Sequence, residues 1–171
     1  MSEEIFDLVN ERDEVIGRRA RSEVHRLGLL HRAVHVLVFN ARGDLFLQKR
    51  SLNKDRQPGV WDSSASGHLD AGESYDAAAV RELREELGWA AARPLERLFK
   101  LDACAETDRE FVWVYRGEAE GPFTLPPDEI ERGGWFAPVV VTGWITAQPW
   151  DFASAFPLIW RRWNGGAAAR A

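Results

Sequence analysis

Residues 67–89, GHLDAGESYDAAAVRELREELGW, place the strongest constraint on this chain. At 100° per residue, Val80, Leu83 and Leu87 fall on one helical face with Ala79 beside them, so a helix over residues 75–87 must pack that face inward. Ser74 is expected as its N-cap and Gly88 as its stop. Glu82 and Glu86 stand one turn apart on the flank of the apolar stripe, with Glu85 next to them. Like charges at this spacing destabilise a plain helix. A divalent cation reverses that sign, because Mg²⁺ takes hard oxygen ligands in an octahedron completed by water and phosphate. The glycines of GHLDAGE allow a tight loop and close backbone approach, so a main-chain carbonyl can join the ion. A solvated acidic helix face is the plainer alternative.

The rest of the chain supplies strands for such a helix to cover. EIFDLVN and VIGRRA read as strands around a turn, and residues 20–30 as a short helix ending near Gly28. AVHVLVFN and LFLQKRS read as a hairpin. SLNKDRQPGVWDSSASG is a polar loop feeding a short strand. ERLFKLDACAE and REFVWVYRGEA read as strands, GPFTLPPDEIERG as a loop, WFAPVVVTGWI as a short strand and then a helix, and DFASAFPLIWRRW as a C-terminal helix. Without a strict βαβ rhythm, this pattern predicts an α+β fold, a mixed sheet sandwiched between helices. The 171 residues fit a single domain, with residues 1–30 as an N-terminal extension and 164–171 as a flexible tail.

Composition narrows the function classes. The net charge of −5 argues against a nucleic-acid polymer as partner, while leaving room for a local basic pocket. The single Cys104 cannot form an intrachain disulfide. MSEEIFDLVN lacks the apolar core of a signal peptide, and no apolar run approaches the ~18 residues of a membrane span. The chain is therefore expected to be cytoplasmic, with no membrane partner.

Residues 67–89 fit G-x5-E-x7-R-E-U-x-E-E-x-G-U, with U apolar, at Gly67, Glu73, Arg81, Glu82, Leu83, Glu85, Glu86 and Gly88. A chance match at the seven fixed Gly, Glu and Arg positions is on the order of 10⁻⁸ per start point. The stretch resembles the Nudix box of the Nudix hydrolases. Trp89 stands where that family usually has Ile, Leu or Val. The resemblance implies the Nudix fold and a hydrolase of phosphoanhydrides. Glu82, Glu85 and Glu86 would ligate Mg²⁺ or Mn²⁺ with the Gly67 carbonyl, and Glu82 could instead orient or deprotonate the attacking water. Arg81 would hold a glutamate in place. Glu73, Gly72 and Gly88 would be structural.

A second resemblance covers most of the chain. VHRLGLLHRAVHVLVFN, KRSLNKDRQPGVW, SGHL and AQPWDF are similar to the type 1 isopentenyl-diphosphate isomerases, which share the Nudix fold. It implies a second metal site at His25, His31, His68, Asp108, Glu110 and Glu86, and diphosphate contacts at Arg21, Arg50 and Lys54. Two departures weigh against isomerase activity. The family's cysteine before the box is here Ser66, a poor proton donor to an alkene. The isomerases also typically lack an acidic residue at the position of Glu82. His35, between Val34 and Val36, reads as merely sheet-facing.

The substrate implied is a small-molecule diphosphate, a nucleoside diphosphate derivative above all. Lys49, Arg50, Lys54 and Arg56 cluster ahead of the box, where they would either contact phosphate or form a solvated basic loop. Trp61 would either stack on a base or sit in the core. Glu110, Asp128 or Glu129 could be the general base if Glu82 is only a ligand. A non-catalytic ligand-binding module is a further alternative, against which the complete acidic triad speaks. The sequence is silent on oligomeric state.

Overall fold

The computed structural model describes residues 3–168. The chain opens with an antiparallel hairpin, β1 (Ile5–Val9) and β2 (Val15–Ala20), followed by the short helix α1 (Arg21–Leu27), which Gly28 ends in the left-handed region. A seven-stranded mixed sheet then builds around β3 (His31–Phe39), which runs parallel to β8 (Glu110–Glu118) along its whole length and antiparallel to β6 (Ala65–His68). β7 (Glu96–Leu101) pairs with β8. On the other side, β4 (Leu45–Arg50) pairs with β5 (Trp61–Asp62) and β9 (Ile130–Phe136).

Strand parity sorts the core into two layers. Val34, Val36 and Val38 point to α2 (Tyr75–Leu87), where they bury Ala78, Ala79, Leu83 and Leu87. Ala33, Leu37 and Phe39 point to the opposite face, covered by Phe156, Ile159 and Trp160 of α4 (Ala155–Ala168) and by Val141 and Ile145 of α3 (Pro138–Ala147). The result is the expected helix–sheet–helix sandwich. Ser74 Oγ accepts from Ala77 N and Gly88 takes up the left-handed stop, as their residue types require.

Four expectations are corrected. The β3–β4 hairpin pairs only at Phe39 and Leu45; beyond the turn the strands part, because β3 takes β6 and β8 and β4 takes β5 and β9. Residues 130–133, expected in a loop, belong to β9, where Gly133 lies so close to the Phe46 ring that any β-carbon would sit 2.2 Å from it. Val80 is only half-buried; the buried stripe of α2 runs instead through Ala79, Glu82, Leu83, Glu86 and Leu87, so two acids share the inward face. The helix continues past the expected start of the tail at 164 as far as Ala168, and Asn164 reaches Thr142 at 3.5 Å; residues 169–171 lie outside those described.

Candidate metal and phosphate site

Strand β6 divides the site. Its pairing with β3 sets Gly67 opposite Val34, on the α2 side, and sets Ser66 and His68 opposite His35 and Ala33, on the other. Gly67 leaves no space above it: a β-carbon there would lie 2.0 Å from Glu82 Oε1. That contact is why the box begins with glycine.

On the α2 side, Glu82 and Glu86 are 8% and 5% exposed, while Glu85 stands on the rim. Arg81 ties the group together, donating to Glu73, to Glu82 at 2.7 Å, to Glu85 at 2.9 Å and to the His68 carbonyl at 2.8 Å. Burial, and then the neighbouring Glu86 charge, push the Glu82 carboxyl well above its ordinary range against the pull of Arg81. Burial pushes Glu86 up to about 7, although donors from Ser66 and Gln48 restrain it. Two buried carboxyls that resist ionisation are a donor set lacking positive charge, which suits a hard dication. The glycines of the loop do local work: Gly72, at φ +82°, turns its N–H to Asp7 on β1, and Glu73 accepts from Asp70 N.

Across β6, His25 of α1, His31 of β3 and His68 converge, with ring centroids 5.0–5.2 Å apart. Each can present a ligand atom within 4.8 Å of the others. Phe6 stacks on His31 from behind. Parallel pairing sets Glu110 beside His31, so its carboxylate lies 3.3 Å from His31 Nε2 and 2.9 Å from His68 Nε2; Asp108 lies 3.7 Å from His25. Nδ1 of His31 donates to the Leu29 carbonyl, which leaves Nε2 as the ring atom facing the Glu110 carboxylate. Among the described residues, the buried Nε2 atoms of His25 and His31 have no hydrogen-bond partner. Burial and the neighbouring His68 and His31 lower His25 to about 4, so it is neutral near pH 7. Burial pushes Glu110 up, but His68 and His31 outweigh it and hold the carboxyl well below its ordinary range. Three converging imidazoles beside a carboxylate, with two of their buried nitrogens unpartnered among the described residues, also fit a metal ion. The turn aiming these acids is strained, with Asp108 and Arg109 at φ 52° and 68°.

The two half-sites open into connected clefts that share Arg21, His25, Lys54, Arg56, Ser66 and Gly67. Arg50 lines one cleft, and Asp128 and Glu129 line the other. Each cation already has an anionic neighbour: Arg21 with Asp55, Lys54 with Glu129, Arg56 with Asp108, and Arg50 with Asp62 at 3.6 Å. Lys49 lines neither cleft and pairs with Glu131 on β9. Trp61 is half-buried and packs edge-to-face against Phe136 and Trp144 at the margin of the core, with the Arg132 guanidinium over its ring, because β5 turns it toward α3. Trp89 fills the space above Gly117 and beside Phe123, a packing change at the end of α2 away from both half-sites.

Sequence reasoning missed three residues. His35 lines the histidine-side cleft, with Nδ1 2.7 Å from Ser63 Oγ. Asp62, 3% exposed, accepts from Ser63 N and Ser66 Oγ. Gln48 donates to Glu86. The available signal was polarity at positions of inward strand parity, where polar side chains are uncommon.

Residues 29–155 match the sequence profile of the NUDIX domain. An isopentenyl-diphosphate Delta-isomerase of Serratia proteamaculans is 34% identical over 157 residues, covering 90% of this chain and 88% of that protein. An uncharacterized Nudix hydrolase of Pseudomonas aeruginosa is 35% identical over 137 residues, 79% of each chain. The crystal structure of DR0079 from Deinococcus radiodurans superposes with a TM-score of 0.84 at 31% identity, covering 93% of this chain and 98% of that one.

Proposed function

This chain belongs to the Nudix family, and from that premise we propose that it is a divalent-metal-dependent pyrophosphohydrolase of nucleoside di- or triphosphates or their derivatives. The observation that carries this reading is the pair of buried carboxylates on α2: Glu82, packed against Gly67 and held by Arg81, and Glu86, held by Gln48 and Ser66 N. Bound Mg²⁺ or Mn²⁺ would neutralise diphosphate charge and make water more acidic. Glu82, Glu86, Glu85 and the Gly67 carbonyl offer it oxygens. Arg81 keeps the glutamates aimed, and its fork reaches Glu73, Glu82 and Glu85 at once. Arg21, Arg50, Lys54 and Arg56 hold the diphosphate by exchanging carboxylate neighbours for phosphate oxygens. Glu110 is poorly suited as general base, since His68 and His31 hold its carboxyl well below the ordinary range. Water attacks one phosphorus, and phosphate or a nucleotide leaves with the anhydride oxygen.

The orphaned histidine nitrogens support a second ion held by His25, His31, His68 and Glu110, with Asp108 at its edge. The same cluster, and the name of the Serratia relative, favour isopentenyl-diphosphate isomerase as the alternative. Ser66 weighs against it: its hydroxyl donates to Asp62 and has no thiol chemistry to offer an alkene.

The test is a panel of nucleoside di- and triphosphates and their conjugates, assayed for phosphate and nucleotide release with Mg²⁺ and with EDTA, beside isopentenyl diphosphate assayed for its allylic isomer. Metal-dependent anhydride cleavage is expected, with Glu82→Gln and Glu86→Gln each slowing turnover ~10²-fold or more. Isomerisation without cleavage would transfer the assignment to the alternative. Tight nucleotide binding with neither reaction would make the chain a binding module.

A further inference from the structure

The structure assigns to Gln48 of β4 a positioning role: with the Ser66 backbone it fixes one oxygen of Glu86 so that the other faces the metal site. This inference rests on the reading of Glu86 as a metal ligand.

Gln48 is 1% exposed, between Leu47 and Lys49, at the strand parity that points to α2. A buried amide is costly unless its hydrogen bonds are met. Its Nε2 lies 2.6 Å from Glu86 Oε2 and 3.5 Å from the Ser64 carbonyl. The amide nitrogen must be the atom facing Glu86, since the amide oxygen would oppose a carboxylate. Ser66 N donates to the same Oε2 at 2.9 Å. Among the described residues, both donors to Glu86 thus converge on Oε2 and neither occupies Oε1, while Glu86 lines the cleft it shares with Glu82 and Glu85. A carboxylate held this way presents a single oxygen in a fixed direction. The partners are themselves tied together: Gln48 pairs with Asp62 across β4–β5, and Asp62 accepts from Ser66 Oγ. Outer groups that orient a ligand commonly change metal affinity by about 10–100-fold when removed.

The test is Mn²⁺ affinity, followed by electron paramagnetic resonance of free Mn²⁺ in the full-length protein, in a double-mutant cycle of Gln48 and Glu86. Gln48→Met removes the donor at similar size, and Gln48→Asn withdraws it by one methylene, so loss of one variant to misfolding leaves the other. Either is expected to weaken Mn²⁺ binding about 10-fold in the wild-type background and to have no further effect once Glu86 is Gln. Wild-type affinity in both variants, or an equal loss with and without Glu86, overturns the positioning role. If Glu86→Gln itself leaves Mn²⁺ affinity unchanged, the failure lies with the metal assignment of Glu86.

Discussion

At the scale of single residues, the site rests on acids placed where acids are costly. Glu86 is buried, and its carboxyl stands at about 7 instead of 4.5. The folded state therefore holds this proton more tightly than the unfolded state. Its contribution to stability is present at acid pH and is lost as pH rises from 4.5 through about 7. His25, lowered to about 4, runs the opposite way, gaining stability as pH rises toward 6.5, so the whole-protein profile mixes the two. Glu86→Gln separates them. In EDTA, the stability of the wild type relative to Glu86→Gln is expected to fall by up to about 3 kcal/mol between pH 5 and 8. Urea unfolding at each pH measures it, and a flat difference would contradict the burial argument. Added Mg²⁺ should restore the wild type alone.

At the scale of elements, two glycines separate packing from chemistry. A β-carbon on Gly67 meets the Glu82 carboxylate, the end of a side chain that can swing away. A β-carbon on Gly133 of β9 meets the Phe46 ring, which is packed in the core and cannot. Gly133→Ala is expected to cost about 1–3 kcal/mol with metal affinity unchanged. Gly67→Ala is expected to keep most of its stability and lose metal binding. Thermal melts and Mn²⁺ titration check both, and the reverse pattern would contradict the placement. Elements governed by local signals were legible in the sequence: α2, from its Ser74 cap to its Gly88 stop, follows from spacing and residue type alone. β9 was not. Its Ile-Glu-Arg-Gly-Gly run has no alternation of its own and is a strand because β4 supplies the partner. Trp61 is similar, since only the approach of α3 decides which way its ring faces.

At the scale of the whole molecule, the site is assembled from both faces of the sheet and from the N-terminal extension. The Nudix box was legible as a motif, carboxylates included. That His31 meets Glu110 was legible only through resemblance, because parallel pairing of β3 and β8 leaves no local trace. The N-terminal hairpin completes the arrangement. Asp13, at φ 61° in its turn, accepts from Arg32 at 2.6 Å, from Tyr75 at 2.8 Å and from Lys100, and so clasps the hairpin to the sheet and α2. Asp13→Asn tolerates the same backbone conformation but leaves two cations without their anion. It is expected to cost about 3 kcal/mol in urea unfolding; a loss below about 0.5 kcal/mol, the range of ordinary surface substitutions, would show the clasp to be ornamental.

The central claim is that a dication resolves the crowding of Glu82, Glu85 and Glu86. Anomalous diffraction from a crystal soaked in Mn²⁺ tests it directly. A peak is expected within about 2–2.5 Å of Glu86 and Glu82 oxygens, beside the Gly67 carbonyl. Saturating Mn²⁺ with no peak between α2 and β6 would contradict it.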